Sequence, residues 1–157
     1  MMIHKIKINN LVAILVLLNF TACNMSGVKE ESGETVKTDF FVLKKETDEA
    51  YINDDLITSE KGYEILVREM PIVAENWFRL ANIYVRTNRP AAAIDLYREA
   101  LVRDPKYSKA WYNLSIVQLK QTAYSLSEML NYTSSDDPLY DKAKSLLEGI
   151  QTIIDQD

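Results

Sequence analysis

Histidine and cysteine are almost absent from this sequence. Its 157 residues hold one of each, His4 and Cys23, and four glycines. Beyond residue 23 there is neither an imidazole nor a thiol, which removes most nucleophile–base pairs and most zinc and copper sites. Gly27, Gly33, Gly62 and Gly149 are scattered, so no glycine-rich loop of the kind that cradles phosphate is available. A single cysteine cannot close an intramolecular disulfide. Asp54-Asp55 and Asp136-Asp137 fall short of a calcium loop, which alternates four or more oxygen ligands around a glycine, and they read as turns or caps. Basic density is also missing. The net charge is −5, and with Lys5 and Lys7 set aside 16 basic residues face 23 acidic ones, about −7. A nucleic-acid partner needs the opposite sign, and so does peripheral attraction to anionic lipid. Neither an enzyme, a metal, a cofactor nor a small-molecule substrate is expected.

What is present begins with an ordered N-terminus. Met1 to Asn10 is short and basic, Leu11 to Phe20 is apolar apart from Asn19, and Thr21 and Ala22 lead into Cys23. A positive end, an apolar run and small residues form the pattern of a secretory signal peptide over residues 1–22. Ten residues rise about 15 Å as a helix, half of a ~30 Å hydrocarbon core, so a spanning helix is not expected. Phe20-Thr21-Ala22-Cys23 resembles the lipobox of bacterial lipoproteins, departing from it at Phe20 where leucine is usual. The resemblance implies cleavage before Cys23 and acylation of its thiol. Two or more acyl chains anchor stably without help from a basic patch. An uncleaved anchor, or a plain signal peptide without acylation, is the alternative. By the same resemblance, Asn24 after the cysteine favours the periplasmic face of the outer membrane over the inner membrane.

Residues 24–38 are rich in Ser, Gly, Glu and Lys and show no apolar period. Such a segment buries too little surface to offset its ordering entropy, so residues 23–38 are expected to form a lipidated, flexible tether with a span on the order of 20 Å.

Residues 39–157 are organised by a repeat. Trp77 and Trp111, Leu80 and Leu114, Tyr63 and Tyr97, Pro71 and Pro105, and the aromatics Phe78 and Tyr112 are all 34 residues apart. Trp77, Leu80, Ala81 and Tyr84 share one helix face at i, i+3, i+4 and i+7, while Ala93, Tyr97 and Ala100 share another on a second helix. Asn88 suits the left-handed turn between them, Pro90 suits a first helical turn, and Asp104-Pro105 makes the stop. Residues 74–107 thus resemble a tetratricopeptide repeat, matching it at Trp77, Leu80, Ala81, Tyr84, Ala93, Tyr97, Ala100 and Pro105.

The flanking copies are partial. Over 39–73, Tyr63 and Pro71 keep register, and Asn53-Asp54-Asp55 makes a turn. Leu43, Thr47, Ala50 and Tyr51 can share a face, but Glu46 stands where an apolar residue is expected. Over 108–135, Trp111, Leu114 and Ser115 open a third copy. Then Gln118 replaces the aromatic, and no turn residue occurs near Thr122. Ile116, Leu119, Ala123, Leu126 and Leu130 continue one apolar stripe, which predicts a single helix from about Ser108 to Tyr132. A last helix over 137–155, started by Asp137-Pro138, gathers Leu139, Ala143, Leu146, Leu147, Ile150, Ile153 and Ile154 on one side. Repeat arrays need terminal elements with a polar outer face, so it reads as a cap, with a partner-binding helix as the alternative.

The expected fold is all-α, a short helical-hairpin solenoid of two to three repeats closed by that cap. The resemblance implies binding through the first helix of each hairpin, with a groove lined by Phe78, Asn82, Val85, Arg86, Lys109, Tyr112, Asn113, Ile116 and Lys120. Aromatic anchors, amides and a few cations suit an extended peptide or a partner helix. Asn82 and Asn113 are also residues that such repeats commonly contain for their own packing. The function expected is a lipid-anchored scaffold or assembly accessory for an envelope protein or peptide segment, in pilus, secretion, outer-membrane or peptidoglycan machinery. A structural or polysaccharide-export accessory that self-associates through its last helix is the alternative.

Overall fold

The computed structural model describes residues 39–156, so the expected signal peptide and the tether with Cys23 lie outside the described residues. Six helices follow one another: α1 Phe40–Ile52, α2 Leu56–Glu69, α3 Ala74–Arg86, α4 Pro90–Arg103, α5 Ser108–Tyr132 and α6 Tyr140–Ile154. Each packs on the next in chain order, so the described residues form an all-α stack of hairpins.

The first two hairpins are cut at the same register by the same device. Asp54 and Asn88, 34 residues apart, are the two non-glycine residues with positive φ among the described residues, at 64° and 57°. Both side chains are short and polar, the type that tolerates the left-handed region best. Asp39 caps α1, its Oδ1 accepting from the amides of Phe41 and Val42, and Asp55 caps α2 by accepting from the amide of Thr58 at 3.0 Å. Pro90 opens α4. One repeat further on, the residue in the register of Asp54 and Asn88 is Thr122. A β-branched residue resists positive φ, and α5 runs through it without a break for 25 residues.

Two core clusters hold the stack. One gathers Tyr63, Leu66 and Val67 of α2 with Leu80 and Ile83 of α3. The other joins Phe78 and Ala81 of α3 to Ala93, Ile94, Tyr97, Ala100 and Leu101 of α4 and to Ala110, Leu114 and Val117 of α5. Fully buried alanines at 81, 93, 100 and 110 keep the helix axes close. In α1 the buried residue is Thr47, whereas Glu46 is exposed. Glu46 shares its register with Leu80, which α2 covers. No helix precedes α1 among the described residues to cover Glu46 in the same way.

Thr47 lies against Gly62 of α2. A Cβ on Gly62 would stand 2.9 Å from Thr47 Cβ and 2.7 Å from its Cγ2, so this crossing admits only glycine at 62.

The last helix is slightly shorter than the expected 137–155. It begins at Tyr140, after a turn in which Asp137 Oδ1 accepts from the Leu139 amide at 2.8 Å. It packs on α5, and Ala143 is its buried residue. Asp141, Lys142, Glu148 and Gln151 face outward as a cap requires. Leu146 and Ile153 are nevertheless 60% and 52% exposed. The apolar arc of α6 is wider than the face that α5 covers.

Candidate functional site

The side chains expected to form a groove fall along one face of α5 and the neighbouring face of α3. A cleft of about 310 Å³ is lined by Asn82, Val85 and Arg86 of α3 and by Tyr112, Asn113, Ile116 and Lys120 of α5. It opens at one end into a hollow of about 490 Å³ beside Phe78, Ser108, Lys109 and Tyr112. At the other end, past Val117 and Lys120, it meets one of about 710 Å³ beside Asn88, Pro90 and Tyr124. From Lys109 to Tyr124 the track follows α5 for roughly 22 Å at 1.5 Å per residue.

Asn82 is the hub of the cleft. Its Oδ1 accepts from the Tyr97 hydroxyl at 2.6 Å and from Asn113 Nδ2 at 2.9 Å, and its Nδ2 donates to the Tyr51 hydroxyl at 3.2 Å. Three helices besides α3 are thereby tied to one amide. Both asparagines are half-buried, so a network satisfied this fully gives the cleft floor one geometry. Burial pushes the Tyr97 phenol up to about 12, against a smaller opposite pull from Asn113, so it stays a hydroxyl donor at any physiological pH.

Tyr51 is also fixed from outside the cleft. Its ring meets Tyr63 edge-on, with centroids 5.9 Å apart, and the Arg79 guanidinium lies 4.9 Å from its centroid. Arg79 in turn pairs with Glu75 at 2.6 Å. Burial alone would raise the Glu75 carboxyl, but hydrogen bonds from Tyr107 and Arg79 outweigh it and hold the group below its usual range. Arg86, at the rim, pairs with Asp54. No carboxylate lines the cleft or its two extensions, whereas Arg86, Lys109 and Lys120 do. In a chain of net charge −5 this face is locally positive.

Phe78 is placed differently from the other eight. It is 8% exposed, its ring packed against Tyr107 at 4.9 Å and Tyr97 at 5.9 Å between centroids. It borders the end hollow with an edge and spends its area in the core. Tyr51, Tyr97 and Val117 line the cleft as well. Tyr51 was legible in principle, since it stands 34 residues before Val85 and so occupies the same register one repeat earlier. Tyr97 reads as a core position because its ring is one, and only its hydroxyl reaches the cleft. The described residues bring together no group of three His, Cys, Asp or Glu side chains. What the arrangement offers is apolar area, fixed amides and cations, which is the chemistry of docking.

Residues 74–117 match the family model described as a tetratricopeptide repeat. The matched segment runs from the start of α3 through α4 to Val117 of α5, the part that builds most of the cleft. No match was found among the curated proteins.

Proposed function

We propose that this chain docks a protein partner along the α3–α5 cleft while acylated Cys23 holds it to a bacterial envelope membrane. The observation that carries the docking is the Asn82 hub. A cleft floor cross-tied to α1, α4 and α5 presents Tyr112, Ile116 and Val85 as a preorganised apolar strip, which lowers the ordering cost of binding. The roughly 22 Å track suits a short peptide segment or about four turns of helix, and its cations favour an acidic one. Such a strip is small beside a standard interface of about 800 Å² per partner, so the reading is a helper or assembly accessory with transient contacts, working by contact and not by turnover. The periplasmic face of the outer membrane remains the location that Asn24 favours.

Cross-linking in membranes followed by capture of the full-length protein tests the docking. Ile116→Glu and Tyr112→Glu should each lose a partner that wild type retains, and an unchanged partner set would sink the reading. The anchor is tested separately, because Cys23→Ser should shift the protein out of the membrane fraction and remove an acyl mass from the N-terminal peptide.

A second reading, self-association through α6, is favoured by one observation. Leu146 and Ile153 flank Gly149, whose missing Cβ would meet nothing within 4 Å in the chain. A mid-helix glycine costs about 1 kcal/mol relative to alanine, and this one has no packing reason inside the chain. Leu146→Asp and Ile153→Asp would separate the readings, since they should disturb self-association and leave cleft binding intact.

A further inference from the structure

Trp77 and Trp111 stand in the same register and make the same bond. Each indole N–H donates to the carbonyl six residues back, Trp77 Nε1 to Pro71 at 2.9 Å and Trp111 Nε1 to Pro105 at 3.0 Å. Around Trp77 the site is completed by α4. The Arg103 guanidinium lies 4.2 Å from the Trp77 ring centroid, its Nε donates to the same Pro71 carbonyl, and Glu99 steadies its Nη1 at 2.5 Å. Leu96 of α4 packs onto the α2–α3 core beside Trp77.

Around Trp111 that cover is missing. The register of Arg103 one repeat later is Asp137, which lies in the linker between α5 and α6 because α5 does not turn back at Thr122. Trp111 is 51% exposed and Val102 is 74% exposed. Among the described residues no cation lies over Trp111, and the Pro105 carbonyl accepts from the Trp111 indole. Beside it, Arg98, Leu101, Val102, Leu114 and Gln118 line a hollow of about 440 Å³. Past Arg98 and Gln118 the hollow continues between α4 and the middle of α5 into one of about 600 Å³. With 100° per residue, Trp111, Leu114 and Gln118 lie on the side of α5 opposite Tyr112 and Ile116, so this groove is separate from the cleft.

We infer that a helix of a partner protein docks here, in the place that α4 holds one repeat earlier, with an arginine in its last turn. The groove lies between α4 and α5 and repeats the parts of the α3–α4 contact, a tryptophan whose indole donates to the carbonyl six residues back. The partner helix lays an apolar face on Val102 and Trp111, over the edges of the buried Leu101 and Leu114. Its guanidinium stacks on the Trp111 indole and donates to the Pro105 carbonyl, as Arg103 does at Trp77 and Pro71. A cation over an indole that becomes desolvated on docking is the strongest form of that contact, and it makes the arginine the specific element.

The probe is a peptide with the chain's own α4 sequence, residues 89–106, stapled on its solvent side because an isolated helix of this length is marginal in water. Titrated against the full-length protein, it should bind saturably. Replacing its arginine at the Arg103 position by alanine should weaken binding about ten-fold, within the range of a partly desolvated cation–π pair. Trp111→Ala in the protein should do the same. Val102→Glu, at a residue exposed enough to leave the fold unaffected, should weaken binding at least as much, and Tyr112→Glu should leave it unchanged. No saturation up to millimolar peptide overturns the inference. So does indifference to the peptide's arginine, or a loss caused by Tyr112→Glu and not by Val102→Glu.

Discussion

Tyr97 donates its hydroxyl to Asn82 at 2.6 Å, and 34 residues earlier Tyr63 donates to Asp48 at 2.5 Å. The two bonds are one structural position in successive repeats, with an amide as acceptor in one and a carboxylate in the other. Tyr63→Phe should therefore cost more than Tyr97→Phe. A charge-assisted bond contributes about 1.5–3 kcal/mol and a neutral one about 1 kcal/mol. Urea unfolding of both variants checks the order. Tyr97→Phe should also weaken partner capture, because it loosens the hub.

The same carboxylate sets a pH dependence. Burial alone would raise the Asp48 carboxyl, but hydrogen bonds from Lys44 and Tyr63 outweigh this and hold it below the usual carboxylate range. Glu75 is likewise held below its usual range. Folded pKa values below the unfolded ones mean that the unfolded chain binds more protons in this range, so stability rises with pH there. The contribution is complete above the unfolded values and is lost as pH falls through the lower folded ones. Thermal melts from pH 6 down to pH 3 should show this decline, and Asp48→Asn should flatten it.

Two helical glycines should respond to alanine with opposite signs. Gly62→Ala forces a methyl onto Thr47, and such overpacking costs about 1–3 kcal/mol, outweighing the propensity gain. Gly149→Ala meets open space and should gain up to about 1 kcal/mol. If Gly149→Ala instead breaks a dimer seen by sedimentation, the self-association reading gains its evidence.

Asn76 is fully buried, with both amide atoms unpaired. Its register one repeat later holds Ala110, equally buried. Burying an unpaired amide costs about 1–3 kcal/mol in mutational series. Asn76→Ala should raise the melting temperature by several degrees, and a fall would mean that the amide has a partner in solution.

Phe78 and Tyr112 share a register and should fail differently. Phe78→Ala removes a ring from the core and should cost about 3–5 kcal/mol. Tyr112→Glu, at a half-exposed residue, should cost clearly less stability than Phe78→Ala while abolishing partner capture. Equal effects on stability would mean that the cleft face is part of the core.

Much of this was legible in the sequence, because it depended on neighbours within one or two turns. The 34-residue spacing, the faces of α3 and α4, the caps at Asp55 and Pro90, the turn at Asn88 and the unbroken α5 all follow from side-chain type and helical period. The nine expected groove residues border the cleft or its end hollow for the same reason, Phe78 with an edge only. The tertiary structure decided what depends on how many helices cover a face. It seated Phe78 between Tyr97 and Tyr107, brought Tyr51 and the Tyr97 hydroxyl to Asn82, and left α6 supported by α5. It also left Trp111 without the guanidinium that Trp77 has. Period tells which side of a helix is apolar, but whether that side becomes core, groove or open surface is set by the packing of segments far apart in the chain.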